Sequence, residues 1–229
     1  MSAEIQIDSL IPSEMARKAE TVGTAKANAG AFYLFVLAVL AGAFIAMGAM
    51  FATTVLAGGI TISAPDGAKA FSAAWPYGVT RMLGGLAFSL GLIMVVVGGA
   101  ELFTGNSLMI IAWMDRKITL GSMLRNWSIV YLGNFAGALL LVALVFLSGE
   151  YRFGGGLVGE TMLNMALMKL DYGFGQALVL GILCNILVCL AVWLTYSARS
   201  TVGKILAILF PITAFVAAGF EHSVANMYA

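Results

Sequence analysis

The chain has 229 residues, of which 61% are hydrophobic and 10% charged, with 12 Lys and Arg against 11 Asp and Glu and a mean hydropathy of +0.98. A soluble domain is about 45–50% apolar and about 25% charged, so this composition excludes an ordinary water-soluble fold and a disordered chain. A formal net charge of +1 with one His also lacks the basic stripe that a phosphate backbone requires, which argues against a nucleic-acid partner and leaves a multi-span membrane protein in contact with lipid.

In chain order, residues 1–30 form a charged N-terminal segment. Pro12 opens a helix there, Glu14 occupies its first turn, and Met15, Ala19 and Val22 recur at helical spacing, which predicts a short amphipathic helix on the cytoplasmic face. It reads as a surface anchor or as a lid over a pore mouth. Residues 31–229 form the membrane domain. A helical span needs about 20 apolar residues, and five regions qualify: Ala31 to Ala57, Met82 to Met114, Asn126 to Ser148, Phe174 to Tyr196, and Ile205 to the C-terminus. The first lacks the compact charged-then-apolar layout of a cleavable signal and stays as a span. The second has 33 residues, too many for one straight span and too few for two with a turn. It reads as one crossing with a broken middle, marked by Glu101, Thr104, Gly105 and Asn106. In the third region Gly133 and Gly137 are spaced for close helix packing. In the fourth, Cys184 and Cys189 stand five apart, which points them to different sides of a helix in structural roles with no metal partner.

Lys and Arg in the connections set the orientation. With the N-terminus inside, eight fall on the inner side (Arg17, Lys18, Lys26, Arg116, Lys117, Arg125, Arg199 and Lys204) and four outside (Lys69, Arg81, Arg152 and Lys169). The positive-inside rule therefore places the N-terminus in the cytoplasm.

Gly99 to Asn106 reads G-A-E-L-F-T-G-N and Gly219 to Asn226 reads G-F-E-H-S-V-A-N, two copies of Gly-x-Glu-x-x-x-x-Asn 120 residues apart. Their host regions cross the membrane in opposite senses, so the chain carries an inverted repeat, the construction that places a solute pathway between two broken helices near the midplane. Glu101 and Glu221 are the acids within apolar regions, and they occupy equivalent places in the repeat. A carboxylate at such a depth costs at least about 2.5–3.5 kcal/mol. It either accepts hydrogen bonds from N–H groups freed by the break or meets the solute. His222, the sole imidazole, sits in the second break beside Ser223 and Asn226, which favours a pathway role. Asn185 reads as an interhelical bond or a pathway group, and Lys169 as a loop charge or a pathway group.

These residues, with N-W-x-x-x-Y-x-G-N from Asn126 to Asn134 and G-I-L-C-N-I-L-V-C-L-A-V-W from Gly181 to Trp193, resemble the formate/nitrite transporter family over essentially the whole chain. S-G-E-Y at Ser148 to Tyr151 resembles its bacterial formate-channel branch. The resemblance implies an all-α, aquaporin-like fold of six spans in a homopentamer of the bacterial inner membrane. Each protomer would pass formate or a similar small weak-acid anion, nitrite or hydrosulfide, with no cofactor. It implies a pathway of His222 facing Thr104, with Lys169 and Asn185 attracting and holding the anion and Glu221 and Asn226 in support. Phe88, Leu92, Leu102, Phe103, Val188 and Phe215 would line two constrictions, and Gly99, Glu101, Gly105, Asn106 and Gly219 the helix breaks. Symmetry and the family both call for more of the fifth span and a sixth, so the sequence as given holds about five spans and lacks the C-terminal part of the domain.

An anion entering a dry constriction loses hydration at a cost far above thermal energy. An imidazole, with an ordinary pKa near 6.5, offers a proton that would let the neutral acid pass. No G-x-x-x-x-G-K-[ST] motif supports ATP-driven pumping. A passive channel and a proton-coupled carrier both fit. An intramembrane hydrolase would use the same carboxylates and His but finds one imidazole only, and a water or glycerol pore leaves His222 and Lys169 without purpose.

Overall fold

The computed structural model describes residues 8–63, 69–73 and 75–228, and of residues 60–63 and 69–73 the backbone alone. Residues 1–7 of the N-terminal segment and Ala229 lie outside it. Helix α1 (Pro12–Ala27) buries Met15, Ala19, Gly23 and Ala27, a stripe repeating every four residues, and its N-terminus is closed by Glu14 accepting the Ile11 N–H at 3.0 Å. It continues into α2 (Ala31–Leu56), the first of five helices among the described residues that are long and apolar enough to cross a membrane.

The other four are α3 (Tyr77–Gly98), α6 (Leu120–Ser148), α8 (Phe174–Ser197) and α9 (Thr201–Ala218). The second apolar region does break. Beyond Gly98 it resumes as α4 (Phe103–Asn106) and α5 (Met109–Met114). Three spans begin several residues earlier than the apolar runs suggest, so Arg81, Arg125 and Lys204 stand inside helices α3, α6 and α9. Long cationic side chains reach polar partners from there. Arg125, for example, donates from Nη1 to the carbonyl of Ala29 at 3.2 Å.

Two connections are more ordered than the sequence indicates. Between α2 and α3 a hairpin pairs β1 (Ile60–Ser63) with β2 (Lys69–Ala73) antiparallel, with an irregularity at Ile62/Ser63. Between α6 and α8 a 3₁₀ stretch, Glu150–Gly156, leads into α7 (Leu157–Leu170), so Lys169 sits in the last turn of a helix and not in a loop. Helix α1 packs at one end of the bundle, against α5 and the end of α8, while α7 packs at the other, against the end of α2.

Small residues bring the spans together. Ala38, Ala41, Gly42, Ala46 and Ala49 bury one side of α2. A side chain at Gly137 of α6 would run into the Val39 carbonyl, one at Gly42 into the Asn134 carbonyl, and one at Gly133 would approach the Ala38 Cβ to 2.5 Å. Gly133 and Gly137 therefore serve the close packing their spacing predicts. Gly137→Leu should force the helices apart at a cost of at least about 1–3 kcal/mol. Thermal unfolding of the detergent-solubilised protein should show a lowered midpoint, and an unchanged midpoint would contradict this packing.

Candidate functional site: two helix breaks that meet

Both broken helices end in the same way. Gly99 and Gly219 adopt the left-handed conformation, with φ of +78° and +77°. The N–H of the next residue, Ala100 or Phe220, then returns to the carbonyl of Val95 or Phe215 at 2.9 and 3.0 Å. A left-handed residue is cheap only for glycine, and the returning bond satisfies carbonyls that the helix end would leave open. The chain then runs extended. The Glu101 N–H reaches the Leu37 carbonyl on α2 at 3.2 Å and the Glu221 N–H reaches the Leu180 carbonyl on α8 at 3.4 Å. Each break is pinned to an uninterrupted span, and the chain turns again where the Asn106 and Asn226 N–H groups bond to Leu102 and His222 carbonyls, both at 2.9 Å.

The side chains repeat as well. Lys26, from the end of α1, donates to Glu101 Oε2 and to Asn106 Oδ1, both at 2.7 Å. Lys169, from the end of α7, donates to Glu221 Oε2 at 2.5 Å and Asn226 Oδ1 at 2.8 Å. Each break thus carries a Lys–Glu–Asn cluster, and the side chains of both ion pairs are less than a third exposed. Lys26 was not distinguishable by sequence from the other cations of the N-terminal segment. The signal that could have found it is the repeat: if Lys169 serves one Glu–Asn pair, the other requires a cation too.

The carboxylates do not take up the freed backbone N–H groups, as one reading of the sequence had it. Those go elsewhere. Asn134 of α6 accepts the Phe103 N–H at 2.9 Å and donates to the carbonyls of Ala38 and Glu101. Asn126 ties Asn106 to the Lys26 carbonyl, and Trp127 Nε1 donates to the Asn106 carbonyl at 3.0 Å. A carboxylate beside an ammonium gains more from that charge-assisted bond than from a neutral amide. Arg81 braces the second break from α3, donating from Nη2 to the Val216 carbonyl at 2.6 Å, where a cation suits the negative end of α9.

The two breaks touch through His222 and Thr104, whose Nε2 and Oγ1 lie 3.2 Å apart across 118 residues of sequence. His222 is 3% exposed and its Nδ1 accepts the Ala225 N–H at 3.0 Å. An acceptor at Nδ1 assigns the proton of the neutral ring to Nε2, which donates to Thr104. Phe215 stacks on the imidazole at 5.7 Å, with an interplanar angle of 22°, and Phe88 lies edge-on to both rings. Val188, Leu92 and Leu102 are buried in the same apolar cluster.

Two cavities approach this point. One, of about 210 Å³, is bordered by Lys26, Glu101, Asn106, Leu92, Leu102 and Val22, so α1 forms part of its wall. The other, of about 520 Å³, is bordered by Phe103, Thr104, Asn185, Glu221, His222 and Ser223. The first break is the partition, with Leu102 and Gly105 facing one cavity and Phe103 and Thr104 the other. The Phe103 ring also packs against Trp127 and Tyr131 of α6. Asn185 does bond between helices, its Nδ2 donating to Ser107 Oγ at 3.1 Å, while its Oδ1 is buried without a partner among the described residues. Cys184, buried, and Cys189, partly buried, both border the His222 cavity, whose mouth spans much of one side of α8.

The family model described as formate/nitrite transporter matches residues 13–229. A formate channel, FocA, of Escherichia coli strain K12 is 42% identical over 228 residues, which span 100% of this chain and 75% of that protein. A formate channel of Haemophilus influenzae is 43% identical over 219 residues, 96% of this chain and 72% of the relative. Among solved structures, a pentameric formate channel with formate bound superposes with a TM-score of 0.73 at 41% identity, covering 86% of this chain and 72% of that one. An ion channel of the FNT family superposes at 0.76 with 27% identity, covering 94% and 81%.

Proposed function

The chain belongs to the formate/nitrite transporter family, and from that premise we propose that this multi-pass membrane protein passes formate and related small weak-acid anions, nitrite and hydrosulfide among them, between the two cavities. The observation that carries the reading is the junction of the two breaks. One imidazole N–H and one hydroxyl meet there among Phe88, Phe215, Leu92, Leu102 and Val188, a polar contact in an apolar septum between two cavities, one bordered by Lys26, Glu101 and Asn106 and the other by Glu221.

Lys26 and Lys169 neutralise Glu101 and Glu221, so that no unpaired carboxylate repels an arriving anion, with Asn106 and Asn226 orienting each ammonium, and Asn185 offers its amide in the second cavity. At the septum a bare anion is strongly disfavoured. His222 Nε2–H can lend a hydrogen bond to a carboxylate oxygen as the chain stands. To hand over that proton and remain neutral, the ring must take one at Nδ1, which displaces the Ala225 N–H and loosens the turn from 222 to 225. Proton transfer to the permeant acid is therefore coupled to the backbone of the second break. The bias of Lys and Arg toward the α1 end supports a cytoplasmic N-terminus in the bacterial inner membrane. Broad apolar faces, such as Leu132, Phe135 and Leu139 on α6, support a homopentamer like that of the pentameric relative, with lipid around it.

Reversal potentials across bilayers containing the purified protein test the coupling. If a proton accompanies the anion, the reversal potential follows the proton gradient as well as the formate gradient. A potential that follows formate alone makes the protein a pure anion channel.

A further inference from the structure

We propose that Arg81 is a positioning residue for the imidazole: from α3 it fixes the end of α9, and with it the turn that presents His222 to Thr104. The proposal rests on the reading of the junction as the point of passage. Arg81 and Phe88 stand two helical turns apart on one face of α3, about 10 Å along its axis. Between them Gly85 brings the backbones of α3 and α9 together, since a Cβ there would lie 2.7 Å from the Thr213 carbonyl oxygen. The α3 face thus holds the second break at two points. Arg81 Nη2 donates to the Val216 carbonyl, which also accepts the Gly219 N–H at 3.1 Å. Phe88 meets the rings of Phe215 and His222. Val216 directly follows Phe215, so the guanidinium fixes the turn of α9 from which the Phe215 ring reaches the imidazole.

Two features single out this cation. Among the described residues it has no carboxylate partner, and its Nε–H is buried without an acceptor. A cation and an unmatched donor within a span are costly. The contacts that offset them are the Val216 carbonyl and the face of Tyr77, whose ring centre lies 6.0 Å from the guanidinium carbon. The second feature is a departure from the repeat. A shift of 120 residues relates Arg81 to Thr201, Phe88 to Ile208, Phe215 to Val95 and His222 to Leu102. The residues that converge on the second break therefore have neutral counterparts at the first, and Ile208, Val95 and Leu102 lie in the buried apolar cluster. What ends the helix and turns the chain is common to both breaks, namely the left-handed glycine and the returning N–H bond. A cation needed only to close a helix end would recur at Thr201. Arg81 instead accompanies the imidazole.

Without Arg81 the Val216 carbonyl keeps only the Gly219 N–H, the last turn of α9 loosens, and Phe215 no longer holds His222 against Thr104. The other charged groups at this break, Lys169 from α7 and Glu221, neutralise one another, and the Cys184 and Cys189 thiols of α8 border the same cavity. A substitution at Arg81 alters none of them.

The experiment measures formate flux into liposomes against pH, corrected for the protonated fraction of formate in bulk water. It compares the wild type with Arg81→Met, Arg81→Gln and Arg81→Lys, and repeats the first two in a His222→Asn background. Met and Gln both end short of Val216, so either carries the test if the other fails to assemble. The expected result is a loss of flux of about tenfold, the factor for one hydrogen bond to a charged group, with the pH-dependent step flattened. Arg81→Lys, whose ammonium reaches the carbonyl, should restore both. In the His222→Asn background the same substitutions should lower flux less than about twofold, because residues that act through one another are not additive. An equal loss in that background, a wild-type pH step in the Met or Gln variant, or no restoration by Lys overturns the role of Arg81 and leaves the junction in place. A wild-type flux without a step that His222→Asn removes overturns the reading of the junction and the proposal with it.

Discussion

Replacing His222 with Phe is expected to lower formate flux by about 10–100-fold, while replacing it with Asn keeps a substantial flux but flattens its dependence on pH. The first estimate follows from the chemistry of the septum. A hydrogen bond to a charged partner is worth about 1.5–3 kcal/mol, and each ~1.4 kcal/mol is a factor of ten. Phe keeps the stacking surface toward Phe215 but offers a permeating carboxylate no donor. It also strands the Ala225 N–H, which His222 Nδ1 now accepts. An Asn amide can donate to the anion with its nitrogen and accept from Ala225 with its oxygen, but it does not titrate. After correction for the protonated fraction of formate in bulk water, the wild-type flux should retain a pH-dependent step, and the Asn variant should lack it. A Phe variant that conducts like wild type, or an Asn variant with the wild-type pH profile, contradicts the role of the imidazole.

The second large effect concerns the two lysine clusters. Each is close to neutral as it stands, Lys26 with Glu101 and Lys169 with Glu221. Lys169→Ala leaves an unpaired carboxylate at the cavity wall. At about 5 Å and an effective dielectric near 20 it repels an arriving anion by about 3 kcal/mol, or about 100-fold in occupancy. Lys26→Ala should act alike from the other end, because the geometry is repeated to within 0.2 Å in both lysine contacts. Adding Glu221→Gln to Lys169→Ala removes the stranded charge and should recover most of the flux. Formate uptake by liposomes reads all of these, with size-exclusion behaviour in detergent reporting whether the variants remain assembled. Loss in Lys169→Ala that Glu221→Gln fails to relieve would show that the ammonium acts by contact with the anion and not through the charge balance of the cluster.

How much of this was legible follows from what lipid demands. Five spans were readable because a bilayer tolerates no interruption of apolar character without a reason, and the breaks were readable because Glu101 and Glu221 are such interruptions placed in register. His222 meets Thr104 and Lys169 meets Glu221 and Asn226, while Asn185 meets Ser107 and Cys189 and not Lys169. Helix α7 and the hairpin were not readable, because outside the apolar layer the sequence is freed from that constraint and many polar patterns fit equally well. Lys26 was hidden by its own neighbourhood, an amphipathic helix with several cations whose individual partners depend on how α1 docks. Arg81 was assigned to a connection because a cation in a span is costly, yet the end of α9 supplies the Val216 carbonyl that makes it tolerable.

The central claim is that the junction of the two breaks selects small weak-acid anions over neutral polar solutes. Stopped-flow swelling of liposomes carrying the purified protein tests it directly, with inward gradients of formate and of glycerol at matched osmolarity. Formate should relax the volume faster than in protein-free liposomes while glycerol does not. Equal acceleration by both solutes, or no acceleration by formate, would contradict the account.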